Sequence, residues 1–100
     1  MSSTEGIKIM KLETKTLNDL NVLTAKGDFT FHNLFGVLDT IIETVAGFSS
    51  AKVLVDLSQA KFIDASGIGA IVLISKKVRL RQGSFGVVVK DQGVKDEMLV

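Results

Sequence analysis

Residues 61–74, KFIDASGIGAIVLI, place a carboxylate, a hydroxyl and two glycines between two apolar stretches. These are Asp64, Ser66, Gly67 and Gly69. We predict that Ser66 is the N-cap of a helix, where its oxygen accepts a backbone N–H and where the helix dipole favours a negative group. The two glycines leave room for a large group to approach the hydroxyl. The pattern is equally compatible with plain capping and with a serine that a partner contacts or modifies.

Motifs of nucleotide binding and hydrolysis fit this segment poorly. Gly67, Gly69 and Val72 give G-x-G-x-x-V, which lacks the third glycine of a dinucleotide fingerprint. The phosphate-binding pattern G-x-x-x-x-G-K-[ST] is absent from the sequence. Asp64 stands where a G-x-S-x-G hydrolase elbow needs glycine. An anion cradle formed by the glycines at the helix start remains an alternative, but no cofactor is predicted.

Composition narrows the classes of function further. The chain has 100 residues, 46% of them hydrophobic, with a net charge of +1. The near balance of charge predicts no pull towards nucleic acid or a membrane surface. With no cysteine and one histidine, a disulfide or a metal cluster is not expected. The apolar run Ile71–Ile74 is too short to cross a bilayer, and no secretory signal is evident, so we expect a cytoplasmic protein.

The elements that position the 61–74 segment can be read from hydrophobic periodicity. Residues 7–13 alternate as a half-buried strand, residues 14–20 suggest a turn, and residues 21–29 a second strand ending at Gly27–Asp28. These two strands are expected to form an antiparallel hairpin. Residues 51–57 and 84–89 are Val-rich runs typical of buried strands.

Helices are predicted between and after the later strands. A stripe of apolar residues with helical spacing predicts the first, with Thr30 or Asn33 as its cap: Leu34, Leu38, Ile41, Val45 and Phe48. A second helix is predicted from Gly67 to Gln82, stopped by Gly83, and a last one begins near residue 91. The alternation predicts an α/β domain over residues 1–100, with a mixed sheet.

Other residues have both a common and a functional interpretation. His32 is expected at the surface, and Asp28 is either a turn residue or part of the electrostatics of the site. Phenylalanines usually join the core, although one near Ser66 would suit a docking patch; the candidates are Phe29, Phe31 and Phe35. A basic cluster on the second helix is more commonly a solvated face than a site for an acidic partner: Lys76, Lys77, Arg79 and Arg81.

Residues 53–72, VLVDLSQAKFIDASGIGAIV, resemble the signature segment of the STAS family, in particular bacterial anti-sigma factor antagonists. The resemblance implies a mixed sheet with helices packed mainly on one face. It also implies phosphorylation of the serine before the first glycine, which is Ser66. The residues expected to shape the site or bind the partner are Asp28, Thr30, Asp56, Asp64, Ala65, Gly67, Ile68 and Gly69. Thr30 stands where the family has an acid.

The resemblance implies a protein–protein switch that is not itself an enzyme. The unmodified protein would bind an anti-sigma factor that is also a serine kinase, and phosphorylated Ser66 would release it. A PP2C-type phosphatase would reset the switch, and the protein would act as a monomer or weak dimer. A STAS scaffold that is not phosphorylated, in a larger complex or a transporter, is the main alternative. The apolar end at Met98, Leu99 and Val100 leads us to expect a chain trimmed from a longer protein.

Overall fold

The computed structural model describes residues 10–98, which form a four-stranded sheet of order β1-β2-β3-β4 with helices between and after the parallel strands. The strands are β1 (Lys11–Leu17), β2 (Leu20–Lys26), β3 (Lys52–Leu57) and β4 (Ser84–Val89). The helices are α1 (Phe31–Leu34), α2 (Leu38–Ala46), α3 (Ala65–Leu80) and α4 (Gln92–Met98). The α/β class with a mixed sheet is thus confirmed.

The predicted antiparallel hairpin is present, but its first strand lies further along the chain than predicted. Residues 14–17 belong to β1, and the turn contains only Asn18 and Asp19 because Leu17 pairs directly with Leu20. Asn18 takes a positive φ of 57°, a conformation that asparagine tolerates in tight turns. The prediction of a long turn over 14–20 was therefore wrong, and residues 7–9 of the predicted strand lie outside the described residues.

The parallel half of the sheet holds the core. β3 pairs in parallel with both β2 and β4, and Val53, Val55 and Leu57 on its inner face are buried. Because the strands follow each other in order and parallel crossovers are right-handed, α2 and α3 pack on the same face of the sheet. The inner side of α3 adds Ile71, Ile74 and Val78 to this core.

The first predicted helix is interrupted. α1 ends at Leu34, Phe35 leaves the helical conformation with ψ of 122°, and Gly36 has a positive φ of 80°. α2 then begins at Leu38. The apolar stripe still faces the core on both sides of the break, because Leu34, Ile41 and Val45 are all buried. Thr30 is the N-cap of α1 by position, but its side chain makes no capping hydrogen bond.

The helix after the candidate segment starts two residues earlier than predicted and ends at Leu80. Past its end, Gln82 takes a positive φ of 57°, and the Gly83 N–H donates to the Val78 carbonyl at 3.0 Å. Gly83 is needed for another reason than the predicted stop. A Cβ there would lie 2.0 Å from the Ala51 carbonyl oxygen, so only glycine lets the chain turn into β4.

Two further predictions concern the surface and the chain end. Arg81 is exposed, as predicted, and its guanidinium also donates to the carbonyls of Val45, near the end of α2, and of Phe48, just after it, at 3.4 and 2.9 Å. α4 follows β4 as predicted, with Val94 fully buried. Within residues 10–98, no helix combines the length and apolar character that a membrane span requires.

Candidate functional site

Ser66 lies exposed in the first turn of α3. The prediction that it is the N-cap was wrong, because Asp64 occupies that position and its Oδ1 accepts the Gly67 N–H at 2.9 Å. Within the described residues the Ser66 hydroxyl forms no hydrogen bond to another protein group. The carboxylate therefore caps the helix start, and the Ser66 hydroxyl remains exposed and free of protein partners within the described residues.

Asp64 also holds the neighbouring helix in place. Its second oxygen, Oδ2, accepts the Phe31 N–H at 2.9 Å, at the first residue of α1. One carboxylate thus supplies the cap that Thr30 does not provide and the cap of α3. The two helix starts are fixed relative to each other by a side chain that belongs to only one of them.

These hydrogen bonds stabilise the charged form of the Asp64 carboxylate. The Phe31 N–H has the largest effect, the N–H groups of Gly67 and Ser66 act in the same direction, and together they lower the pKa of Asp64 from its ordinary value. Partial burial acts in the opposite direction but is outweighed. At neutral pH the carboxylate beside Ser66 therefore carries a full negative charge.

Asp28 ties together the two loops that carry the site. Its Oδ1 accepts the N–H groups of Lys61 and Phe62 at 3.0 and 3.3 Å. The Phe29 N–H donates to the Phe62 carbonyl at 3.0 Å, and Phe29 forms an isolated parallel bridge with Ile63. Asp28 therefore organises the loop that precedes Asp64 rather than facing Ser66.

The two glycines have different roles. A Cβ on Gly67 would lie 2.0 Å from the Phe29 carbonyl oxygen and 2.7 Å from Ile63 Cγ1. A Cβ on Gly69 would meet nothing within 4 Å. Gly67 is thus needed by the fold, whereas Gly69 keeps open the exposed surface one turn after Ser66.

An open groove of about 380 Å³ lies beside Ser66. Its residues come from α1, the 35–37 break, the start of α2 and the first turns of α3: Phe31, Leu34, Phe35, Gly36, Leu38, Asp39, Ser66, Gly69 and Ala70. Phe31 and Phe35 are 58% and 76% exposed, and their ring centroids lie 5.9 Å apart. Phe29, by contrast, is a core residue at 1% exposure. Exposed aromatic rings beside a groove are typical anchors for a protein partner.

The other predicted site residues lie near the groove or support it. Ala65 is exposed next to Ser66, and Ile68 is half-buried against the core. Asp56 does not reach the groove: its Oδ1 accepts the Ser58 N–H at 2.9 Å and fixes the turn after β3. Thr30 is half-buried at the start of α1.

Sequence reasoning missed one residue that lines the groove, Asp39. It lies exposed in the first turn of α2. Phe62, in the loop before Asp64, is 66% exposed but does not line the groove. The available indication was Gly36, because a glycine inside a helical pattern can mark a break that redirects the next turn. Within residues 10–98, no cluster of three or more potential metal ligands occurs.

The chain was compared with known families and solved structures. The family model of the STAS domain matches residues 11–98. A Thermotoga maritima protein classed as an anti-sigma factor antagonist superimposes with a TM-score of 0.79 at 20% identity, covering 88% of this chain and 75% of that protein. The Bacillus cell fate determinant SpoIIAA, in its phosphorylated form, gives 0.63 at 14% identity, with 90% and 79% covered.

The same fold also occurs inside a membrane transporter. The murine anion transporter Solute Carrier 26 family member A9 superimposes with a TM-score of 0.69 at 13% identity. The match covers 93% of this chain but only 18% of the transporter chain. At these identities the superpositions establish the fold that the three proteins share with this chain.

Proposed function

The chain belongs to the STAS domain family, and we propose that it is an anti-sigma factor antagonist that phosphorylation of Ser66 switches off. In its unmodified form it binds an anti-sigma factor that is also a serine kinase, which frees the sigma factor for transcription. The phosphorylated form no longer binds. The chain is the substrate of the kinase and not an enzyme, and it acts in the bacterial cytoplasm without a cofactor, nucleic acid or membrane.

The observation that carries this proposal is the position of the Ser66 hydroxyl. It is exposed, free of protein hydrogen bonds within the described residues, and placed at the rim of a groove flanked by exposed Phe31 and Phe35. Asp64 fixes the helix start beneath it. A kinase can therefore reach a rigidly held serine on the same surface that offers it aromatic anchors.

The chemistry needs only groups that the kinase supplies. The Ser66 Oγ attacks the γ-phosphorus of ATP bound to the kinase, the bond to the β–γ bridging oxygen breaks, and ADP leaves. The serine proton passes to a base of the kinase. A PP2C-type phosphatase reverses the modification by directing water to the phosphorus, which restores the hydroxyl and releases inorganic phosphate.

Phosphorylation would change the charge of the groove without changing the fold. A phosphoserine carries roughly −1.5 to −2 charges at neutral pH. Asp64 and Asp39 already place two carboxylates at or beside this groove. The added charge and its hydration shell would exclude an apolar side chain of the partner, and about 1.4 kcal/mol is enough to weaken binding tenfold.

Mass spectrometry tests this proposal. The purified protein is incubated with ATP and an anti-sigma kinase from the same cell, and the wild type is compared with Ser66→Ala and with Ser58→Ala as a matched control. We expect one added phosphate in the wild type and in Ser58→Ala, and none in Ser66→Ala. An unmodified wild type, with the kinase active on a known substrate, would overturn the proposal.

A constitutive STAS scaffold is the second candidate function. Thr30 favours it, because this position carries an acid in phosphorylated relatives and here has only a hydroxyl side chain without a capping bond. The anion-cradle alternative loses support, because the Asp64 carboxylate already accepts the Gly67 N–H. The mass-spectrometric experiment separates the scaffold from the switch.

A further inference from the structure

The exposed side of α3 carries a second apolar surface beyond the groove. Leu80 is 80% exposed and Leu73 is 36% exposed. Lys76 and Lys77 lie between them and are also exposed. On a helix these four residues fall within an arc of roughly 100°, on the same side as Ser66 and Gly69. We call Leu73, Lys76, Lys77 and Leu80 the outer α3 face.

The outer side of α3 mixes exposed leucines with lysines, whereas a helix at the surface of a small domain usually exposes mainly polar residues. The inner side of α3 is already occupied by the core, including Ile71, Ile74 and Val78. Within residues 10–98, no element covers Leu80 or Leu73, so their apolar area remains available to another molecule.

The charge of the outer α3 face indicates what would cover it. α3 contains three basic residues, Lys76, Lys77 and Arg79, and no acidic residue. The ion pairs among the described residues, Lys26 with Glu13 and Lys52 with Asp19, lie on other elements. Lys76 and Lys77 thus flank exposed leucines with no carboxylate paired to them in this part of the chain.

We propose that the outer α3 face is a docking surface for an amphipathic, acidic helix of the partner kinase. The proposal rests on the proposed function, since it assigns this face to the same partner that reaches Ser66. Ser66 and Leu80 are fourteen residues apart, about 20 Å along the helix axis. A partner helix of about four turns lying along α3 would place apolar side chains on Leu73 and Leu80 and carboxylates near the two lysines.

The same charges disfavour a second copy of this chain as the occupant. Two outer α3 faces packed together would bring four lysine ammonium groups into one interface without acidic groups from either α3. Such like-charge contacts cost affinity and specificity. An acidic helix avoids this repulsion between lysines, and its carboxylates are attracted to both Lys76 and Lys77.

The proposal divides the interaction into two parts. Phosphorylation of Ser66 changes the charge of the groove. The outer α3 face begins two turns further along the helix, so phosphorylation leaves its charge and shape unchanged. Contact through Leu73 and Leu80 would therefore hold the kinase on its substrate while Ser66 is being modified.

Affinity measurements with the kinase test this inference. Binding of the unphosphorylated protein is measured by titration calorimetry for the wild type, for Leu80→Ser and for Lys76→Gln/Lys77→Gln. Leu17→Ser and Lys15→Gln are the matched controls, because Leu17 is a 53% exposed leucine and Lys15 an exposed lysine on β1. We expect Leu80→Ser to raise Kd about tenfold and the controls to change it less than about twofold.

The salt dependence of the double lysine variant identifies the charge of the partner. Removing two cations that face an acidic helix should raise Kd severalfold at low salt and flatten its dependence on salt concentration. If the wild type binds the kinase and Leu80→Ser binds it with the same Kd as the control variants, the inference is overturned and the proposed function still stands. Absence of wild-type binding would overturn both.

Discussion

The Asp64 carboxylate joins two helix starts that are far apart in sequence. It accepts the N–H groups of Gly67 and Phe31, both at 2.9 Å. The first hydrogen bond caps the helix that carries Ser66, and the second fixes the segment that carries the aromatic groove. Asp64 therefore directly links the helix that carries Ser66 to the segment that forms one wall of the groove.

Substitutions of Asp64 should separate these two effects. Asp64→Ser keeps a capping oxygen for α3 but is too short to reach Phe31, so we expect a loss of about 1 kcal/mol in the free energy of unfolding. Asp64→Ala removes both bonds and should lose about 1 kcal/mol more. Urea unfolding measures the losses, and the amide chemical shift of Phe31 reports the second bond. Equal stability of Asp64→Ser and wild type would show that the bond to Phe31 contributes nothing.

The lowered pKa of Asp64 predicts a pH dependence with a definite sign. Because the folded pKa lies below the unfolded one, the charged carboxylate contributes stability above the unfolded pKa of about 4. This contribution is lost as the pH falls through the folded pKa. We expect the wild type to be more stable than Asp64→Asn at pH 7 and the difference to shrink below about pH 4. A difference that stayed constant from pH 7 to pH 2 would contradict this.

Gly67 and Gly69 form a matched pair for separating fold from function. Gly67→Ala forces a methyl group against the Phe29 carbonyl and should lower the free energy of unfolding by about 1–3 kcal/mol. Gly69→Ala meets open space and should raise helix stability by about 0.5–1 kcal/mol. In the kinase assay, Gly69→Ala should nevertheless be phosphorylated several times more slowly, because its methyl group lies beside Ser66. Unchanged phosphorylation of Gly69→Ala would show that this part of the surface is not contacted.

At the scale of the elements, hydrophobic periodicity predicted which segments are helices and strands but not where the chain breaks. The stripe from Leu34 to Phe48 has helical spacing on both sides of the interruption. The break at Gly36 changes the direction of the chain while the buried residues keep their contacts, so periodicity alone does not detect it. Likewise, Asp64 and Ser66 are both suitable N-cap residues, so the local sequence does not decide between them. The additional hydrogen bond that favours Asp64 comes from the N–H of Phe31, which is distant in the sequence.

The contact between Arg81 and α2 is a second feature that local sequence patterns did not predict. Its guanidinium donates to the carbonyls of Val45, near the end of α2, and of Phe48, just after it, and so links the end of α3 to the end of α2. Arg81→Gln should lower the free energy of unfolding by about 0.5–1.5 kcal/mol. Arg79→Gln is the control, since Arg79 is exposed on the same helix and should change stability by less than about 0.5 kcal/mol. Equal losses for the two variants would show that the contact with α2 is not specific.

At the scale of the whole molecule, the sheet order brings the functional residues together. The loop after β2 and the loop after β3 meet because these strands are parallel neighbours, and Asp28 and Asp64 lock the two loops. The fold class followed from the alternation of strands and helices, and the candidate serine followed from the family resemblance. The groove could not be predicted from the sequence, because its walls come from α1, the break at residues 35–37 and α3, and the relative placement of these segments depends on tertiary contacts.

The affinity of the kinase for the protein with and without a phosphate on Ser66 tests the central claim most directly. Phosphoserine is incorporated at position 66 during synthesis, and at Ser84 as a control, because Ser84 is exposed at the start of β4. We predict that phosphoserine at 66 raises Kd at least about tenfold and that phosphoserine at 84 leaves it unchanged. Equal Kd values for the unmodified and Ser66-phosphorylated proteins would contradict a switch at this residue.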